Sequence, residues 1–170
     1  MAPLTRCSSP CSVEENHVPT SNNGFDPEAF VLEAYAIAER MDLARWKSLF
    51  ADDGIFIDQS VGVTYQGPDE LDYPVRQYGT AFADMHRELH DVWTVDDTVI
   101  VRLSLQGTHT GPLVTPFGTI PPTGNKMDAP CADVFELADG KIKRFDCYPE
   151  GSIILTQLGV IRNLEAALEH

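Results

Sequence analysis

No stretch of about 18 consecutive apolar residues occurs in this sequence, so no membrane-spanning helix is expected. The opening MAPLTRCSSPCS holds no apolar segment of the length a secretory signal needs, which makes the cytoplasm the expected compartment. Basic residues are scarce, 12 against 26 acidic, for a formal net charge of −14. A polyanion-binding protein needs a basic stripe and none is visible, so neither nucleic acid nor an anionic membrane is expected as a partner. The surplus negative charge is more simply a solubility device. Cysteines are few as well. Cys7 and Cys11 sit in a polar tail, Cys131 and Cys147 fall inside expected strands, and no C-x-x-C spacing links them. Neither a metal site nor a cofactor is expected from that pattern. Cys131 and Cys147 read as small buried thiols, with a nucleophilic role left open.

What is present suits one compact domain: 170 residues, 43% hydrophobic and 22% charged. Residues 1–25 are rich in Ser, Asn and Pro and read as a flexible arm. Residues 26–167 form the expected domain, and Leu168-Glu169-His170 reads as the remnant of an affinity tag. Asp26 as N-cap and Pro27 at the first helical position open a helix to about Met41, with Phe30, Ala34, Ile37 and Met41 on one face. A short helix from Asp42 to Phe50 follows, and Asp53-Gly54 is expected to turn the chain into a strand from Ile55 to Asp58. A partner strand near Val63–Gln66 and a helix within 69–83 come next, the helix started or kinked by Pro74. From His86 onward the period becomes two. Strands His86–Val95 and Thr98–Thr110 flank Asp96-Asp97, and strands Lys126–Leu137 and Lys141–Tyr148 flank Asp139-Gly140. Between the pairs, 111–125 is a Gly/Pro-rich loop, and a helix over about 151–167 closes the chain. Helices first and an antiparallel meander afterwards point to α+β, with the helices on one sheet face.

Alternation then singles out chemistry. In Thr98–Thr110 the odd positions Val99, Val101, Leu103 and Leu105 form the core face, and His109 shares their parity. In Lys126–Leu137, Asp133 falls among Met127, Ala129, Cys131, Phe135 and Leu137. A carboxylate on an apolar strand face is the least expected feature of the sequence. Burial raises its pKa unless donors or a cation offset the cost, and a raised carboxyl is what a general acid or neutral donor requires. The competing reading makes Asp133 a structural carboxylate capped by backbone donors or by Arg144. Asp58 ends a strand whose alternate face includes Phe56. Asp146 shares parity with Arg144, whose surface ion pair is its plainest explanation. His86 and His90 lie four apart on a strand that also carries Leu89 and Trp93. Tyr35 and Glu39 are neighbours on the first helix.

The string LFADDGIFIDQSVGVTYQG resembles the start of the sheet in the ketosteroid isomerase and SnoaL-like branch of the NTF2-like superfamily. That resemblance implies a cone-shaped fold, with a curved antiparallel sheet and N-terminal helices packed over its concave face. Asp58 falls where the isomerases place a proton-shuttling aspartate, and CADVFELADGKI places Asp133 at their protonated oxyanion-hole aspartate. Alignment from the ADD motif puts Ala34 where the isomerases have a tyrosine, one residue from Tyr35. The strings THTGPL, IPPTGNK, DGKI and QLG are similar to those of SnoaL-like polyketide cyclases, implying acid/base roles for His109 and Asp146. Scytalone dehydratase, a relative on the same fold, uses two strand histidines, which by resemblance are His109 and His90, with Glu39 near its helix aspartate.

The leading expectation is a cofactor-independent enzyme that isomerises or cyclises an aromatic polyketide-type intermediate. Asp58 or His109 is the expected base and Asp133 the neutral donor, with His90 and Asp146 in support. Tyr35, Glu39, Phe56, Trp93 and Phe135 are the expected substrate contacts. A dehydratase or epoxide hydrolase resting on His90 and His109, and a non-catalytic small-molecule-binding or scaffold module, are the alternatives. The resemblance also implies a homodimer.

Overall fold

The computed structural model describes residues 24–161. The arm with Cys7 and Cys11, the tag remnant and the end of the expected final helix lie outside the described residues.

Asp26 accepts a hydrogen bond from the Ala29 amide at 3.1 Å and caps α1 (Pro27–Glu39). Met41, with φ at 56°, carries the chain to Asp42, which caps α2 (Leu43–Ser48) through the Arg45 amide at 3.1 Å. β1 (Phe50–Asp58) starts earlier than expected, because Asp53-Gly54 does not turn the chain. The pair sits in an irregularity of the strand, where a side chain at Gly54 would meet the Ile142 carbonyl at 2.7 Å. β2 (Val63–Gln66) and α3 (Tyr73–Ala81), with Pro74 in its first turn, follow. β3 (His86–Val95) and β4 (Thr98–Thr108) form the long hairpin. The Gly/Pro segment is not wholly irregular, since β5 (Leu113–Thr115) and β6 (Gly118–Ile120) pair within it. β7 (Lys126–Ala138) and β8 (Lys141–Pro149) are joined at Asp139-Gly140, whose φ values of 50° and 72° match a type I′ turn. α4 (Gly151–Gln157) ends the described chain.

The main sheet runs β2-β1-β8-β7-β4-β3, antiparallel except for the parallel pairing of β1 with β8. α1 lies over its inner face, against β3, β4 and α2. That face carries the residues strand alternation predicted, including Val99, Val101, Leu103, Met127, Ala129 and Phe135, all buried. Phe135 stacks on Phe145 at 4.1 Å, and Trp46 closes over Phe145 edge-on while donating its indole N–H to the Leu71 carbonyl at 2.9 Å. The result is an α+β cone built on a curved six-stranded sheet.

Candidate active site

Two adjoining cavities share Asp58, Pro74 and Tyr78 in their walls. The inner one, about 40 Å³, is lined by Tyr35, Phe56, Asp58, Tyr78, Arg87 and Asp133 among others. The outer one, about 1050 Å³, has largely apolar walls that include Val61, Val63, Leu113, Ile120 and Ile154. A small recess that holds Tyr35, Asp58, Arg87 and Asp133 among apolar walls thus adjoins a much larger chamber.

The strand register creates that recess. Asp58 on β1 lies opposite Cys147 on β8, and Cys147 lies opposite Asp133 on β7. The three therefore form one row across adjacent strands, with Asp58 and Asp133 separated by two strand spacings, about 10 Å along the sheet. α1 completes the row from above: the Tyr35 hydroxyl donates to Asp133 Oδ2 at 2.8 Å, and its ring packs edge-on against Phe135 at 5.7 Å. Cys131 Sγ lies 3.4 Å from Asp133 Oδ1 and 3.8 Å from Cys147 Sγ.

The surroundings of the two carboxyls differ. Asp133 is 2% exposed. Burial pushes its pKa up, against the opposing pull of the Tyr35 hydroxyl, the two thiols and the Arg87 charge. Tyr35 is pushed well above the usual phenol range by burial and then by the charge of Asp133. The pair therefore tends to hold its protons, a tyrosine O–H beside a carboxyl favoured in its neutral form. Such a carboxyl can donate to an oxygen gaining negative charge. Asp58 differs: both bonds recorded to it fall on Oδ1, from the Ser60 amide at 3.0 Å and the Ser60 hydroxyl at 2.6 Å. It lines both cavities, at the boundary between recess and chamber.

Cys131, Asp133 and Cys147 bring their ligand atoms within 4.8 Å of one another. A metal ion would need both thiols deprotonated. Cys147 is held well above the usual thiol range by its bond with Cys131 and by burial. Cys131 is lowered by that same bond, yet burial and the Asp133 charge leave it raised overall.

The structure brings Asp58, Asp133, Tyr35 and Phe56 to one recess, with Phe135 packed beneath Tyr35. Five other expected site residues lie elsewhere. His109 keeps its inward parity but falls past the end of β4, buried under the Phe82 ring at 5.3 Å and outside both cavity walls. Its Nδ1 accepts from the Thr123 amide at 3.3 Å and contacts the Thr123 hydroxyl at 3.1 Å, so it pins the Gly/Pro loop. Burial lowers its pKa. His90 is the extra residue of a bulge, between the Leu89–Leu103 and Asp91–Arg102 pairs, and is exposed with Nε2 2.9 Å from the Ser104 hydroxyl. The same bulge inverts the parity beyond it. Trp93, opposite Ile100, is therefore turned to the outer face and is 49% exposed. Glu39 accepts from the Arg87 amide at 2.7 Å and pairs with His86 at 3.3 Å, tying α1 to β3 outside the recess. Asp146 is on the sheet face opposite Asp133. It accepts from Arg144 Nη2 at 2.8 Å and from Gln59 at 2.6 Å, and these partners hold its pKa down despite burial.

Sequence reasoning passed over Tyr78 and Arg87. Burial, followed by the charge of Asp58, pushes the Tyr78 hydroxyl well above its usual range. Arg87 was legible in principle, since it shares strand parity with Leu89 ahead of the bulge.

The SnoaL-like domain model matches residues 31–145. No curated protein matches the chain. Among solved structures, a protein of Jannaschia sp. CCS1 assigned as a SnoaL-like polyketide cyclase superposes with a TM-score of 0.69. It is 19% identical, over 78% of this chain and 90% of that one. AclR of Streptomyces galilaeus, assigned as a hydroxylase, has a TM-score of 0.67 and 21% identity over 84% and 91% of the two chains. IdmH of Streptomyces antibioticus, assigned as a polyketide cyclase, has a TM-score of 0.63 and 24% identity over 80% and 100%. At such identities the superpositions establish the fold and leave the chemistry to the site itself. With more than half of its length matched by the family model, and with its α+β cone shared by these structures, this chain belongs to the SnoaL-like domain family, on the NTF2-like, ketosteroid isomerase-like fold.

Proposed function

We propose that this protein is a proton-transfer enzyme of the isomerase or cyclase type, acting on an enolisable carbonyl of an aromatic polyketide-type compound. One observation carries the reading. Asp58 and the hydrogen-bonded Tyr35–Asp133 pair stand in one row, at opposite ends of a recess beside a large apolar chamber. The Asp58 carboxylate removes a proton from the carbon alpha to the carbonyl, and the C–H electron pair passes into the enolate. Asp133, held by the Tyr35 hydroxyl that donates to its Oδ2, donates in turn to the enolate oxygen as its charge develops. In an isomerisation, Asp58 exchanges that proton with solvent and delivers one to a different carbon of the conjugated system. In an aldol closure the enolate carbon instead attacks a second carbonyl of the same molecule, whose oxygen takes up the proton. Incubation with enolisable aromatic polyketides in deuterated water, followed by mass spectrometry, should show deuterium uptake with no other change of composition. A product differing by one water, or no uptake across the panel, would overturn the assignment.

The dehydratase alternative needs His90 and His109 to act together, and the bulge and the Thr123 clamp keep them apart. His109→Ala is therefore expected to retain exchange activity to within about threefold while lowering the melting temperature, as removal of a buried clamp does. Abolished exchange in a variant that remains folded would return His109 to the mechanism.

A further inference from the structure

The proton-transfer scheme leaves one charged group of the recess without a task. Arg87 points inward from β3, opposite Leu105, and lines the inner cavity. Its Nη1 is buried and has no hydrogen-bond partner among the described residues. Four other described arginines are paired: Arg40 and Arg45 with Glu33, Arg102 with Asp91, and Arg144 with Asp146. Arg76 lies over the Tyr73 ring. For Arg87 no carboxylate lies within ion-pairing distance among the described residues, and its charge reaches Asp133 only as a longer-range influence. A buried guanidinium N–H without an acceptor is costly unless one arrives to meet it.

We propose that Arg87 is an anion-binding subsite, and that the substrate presents to it a carboxylate carried on an apolar ring system. The volume suits such a group. The recess of about 40 Å³ has room for three or four water-sized atoms, on a measure of about 10–15 Å³ each, so it admits the polar end of a substrate and not its rings. The ring system then occupies the apolar chamber of about 1050 Å³. A guanidinium meets a carboxylate through two parallel N–H donors, a geometry that lysine lacks. A local cation is also what an anionic ligand requires on a chain of formal net charge −14. This inference rests on the recess being the substrate site of the proposed reaction, but its test involves no turnover.

The probes are 2-naphthoate and its neutral isostere 2-naphthamide, titrated calorimetrically at about pH 8, where the acid is ionised. Wild type is expected to prefer the naphthoate by at least about tenfold, in line with a charge-assisted pair away from water. Arg87→Met, close in volume, should abolish that preference while changing naphthamide affinity by less than about threefold, which also reports an intact site. Arg87→Lys should retain only part of the preference, since it keeps the charge and loses the fork. Equal affinities in wild type, no detectable naphthoate binding, or a preference that survives Arg87→Met would each overturn the assignment. A failed deuterium-uptake assay alongside an intact naphthoate preference removes the proton-transfer reading alone. Uptake without the preference removes the Arg87 subsite alone.

Discussion

Asp133→Asn should slow enolisation about 10²-fold while leaving the fold at least as stable as wild type near neutral pH. The rate loss is that of replacing one donor to a developing oxyanion. It falls toward the lower end of that range, because the amide N–H is a weaker donor left in place. The stability gain follows from the direction of the pKa shift. Burial raises Asp133 in the folded chain above its ordinary value of 3.8, so the native state binds that proton more tightly than the unfolded state. Stability from this group is fully present below the unfolded value and is lost as pH rises through the folded one. Above that, the folded chain carries a buried carboxylate at a cost, which the asparagine variant avoids. Melting curves of both proteins from about pH 4 to pH 9 should show wild type losing stability relative to the variant as pH rises. A constant difference would mean that Asp133 does not titrate in this window, and an unimpaired exchange rate would remove it from the mechanism. A site residue that acts while weakening the fold is a common compromise in enzymes.

Asp58→Asn is expected to have the larger effect on rate, about 10²–10⁴-fold, since it removes the general base itself. The substitution keeps an oxygen where Oδ1 accepts the two Ser60 bonds, so the strand end should retain its geometry. Ligand affinity should change little, and the loss should fall on kcat rather than KM, as for an interaction made only in the transition state. Solvent deuterium should no longer enter the bound compound. Exchange at the wild-type rate would remove Asp58 from the mechanism. The two substitutions separate the roles. Asp133→Asn alters the pH dependence of stability, whereas Asp58→Asn should affect chemistry alone.

A good part of this was readable from residues alone. The capped start of α1, the Asp139-Gly140 turn and the inward alternation of β4 and β7 all rest on local rules, and the structure follows them. Asp133 stood out because a carboxylate on an apolar face violates the strand pattern, a violation visible without any partner strand. Tyr35 is harder. One helical position turns a side chain by about a hundred degrees, so alignment alone left it beside the expected tyrosine site, while the packing of α1 over β7 brings its hydroxyl to Asp133.

What the sequence by itself determined is therefore most of the elements, the core faces of β4 and β7 and the presence of an acid within that core. Tertiary structure decided which of the marked residues meet. The parallel insertion of β1 beside β8 sets Asp58 in the row with Asp133, and no periodicity within β1 encodes that neighbour. The bulge at His90 turns Trp93 outward, and the end of β4 at Thr108 leaves His109 to the loop clamp. Ahead of the same bulge, Arg87 keeps its inward parity and reaches the recess. The physical reason is one of range. Alternation reports the face on which a side chain lies, and it depends on the backbone of one strand. Convergence on a site depends on register between strands and on where each strand breaks, and these are set by contacts between residues far apart in the chain.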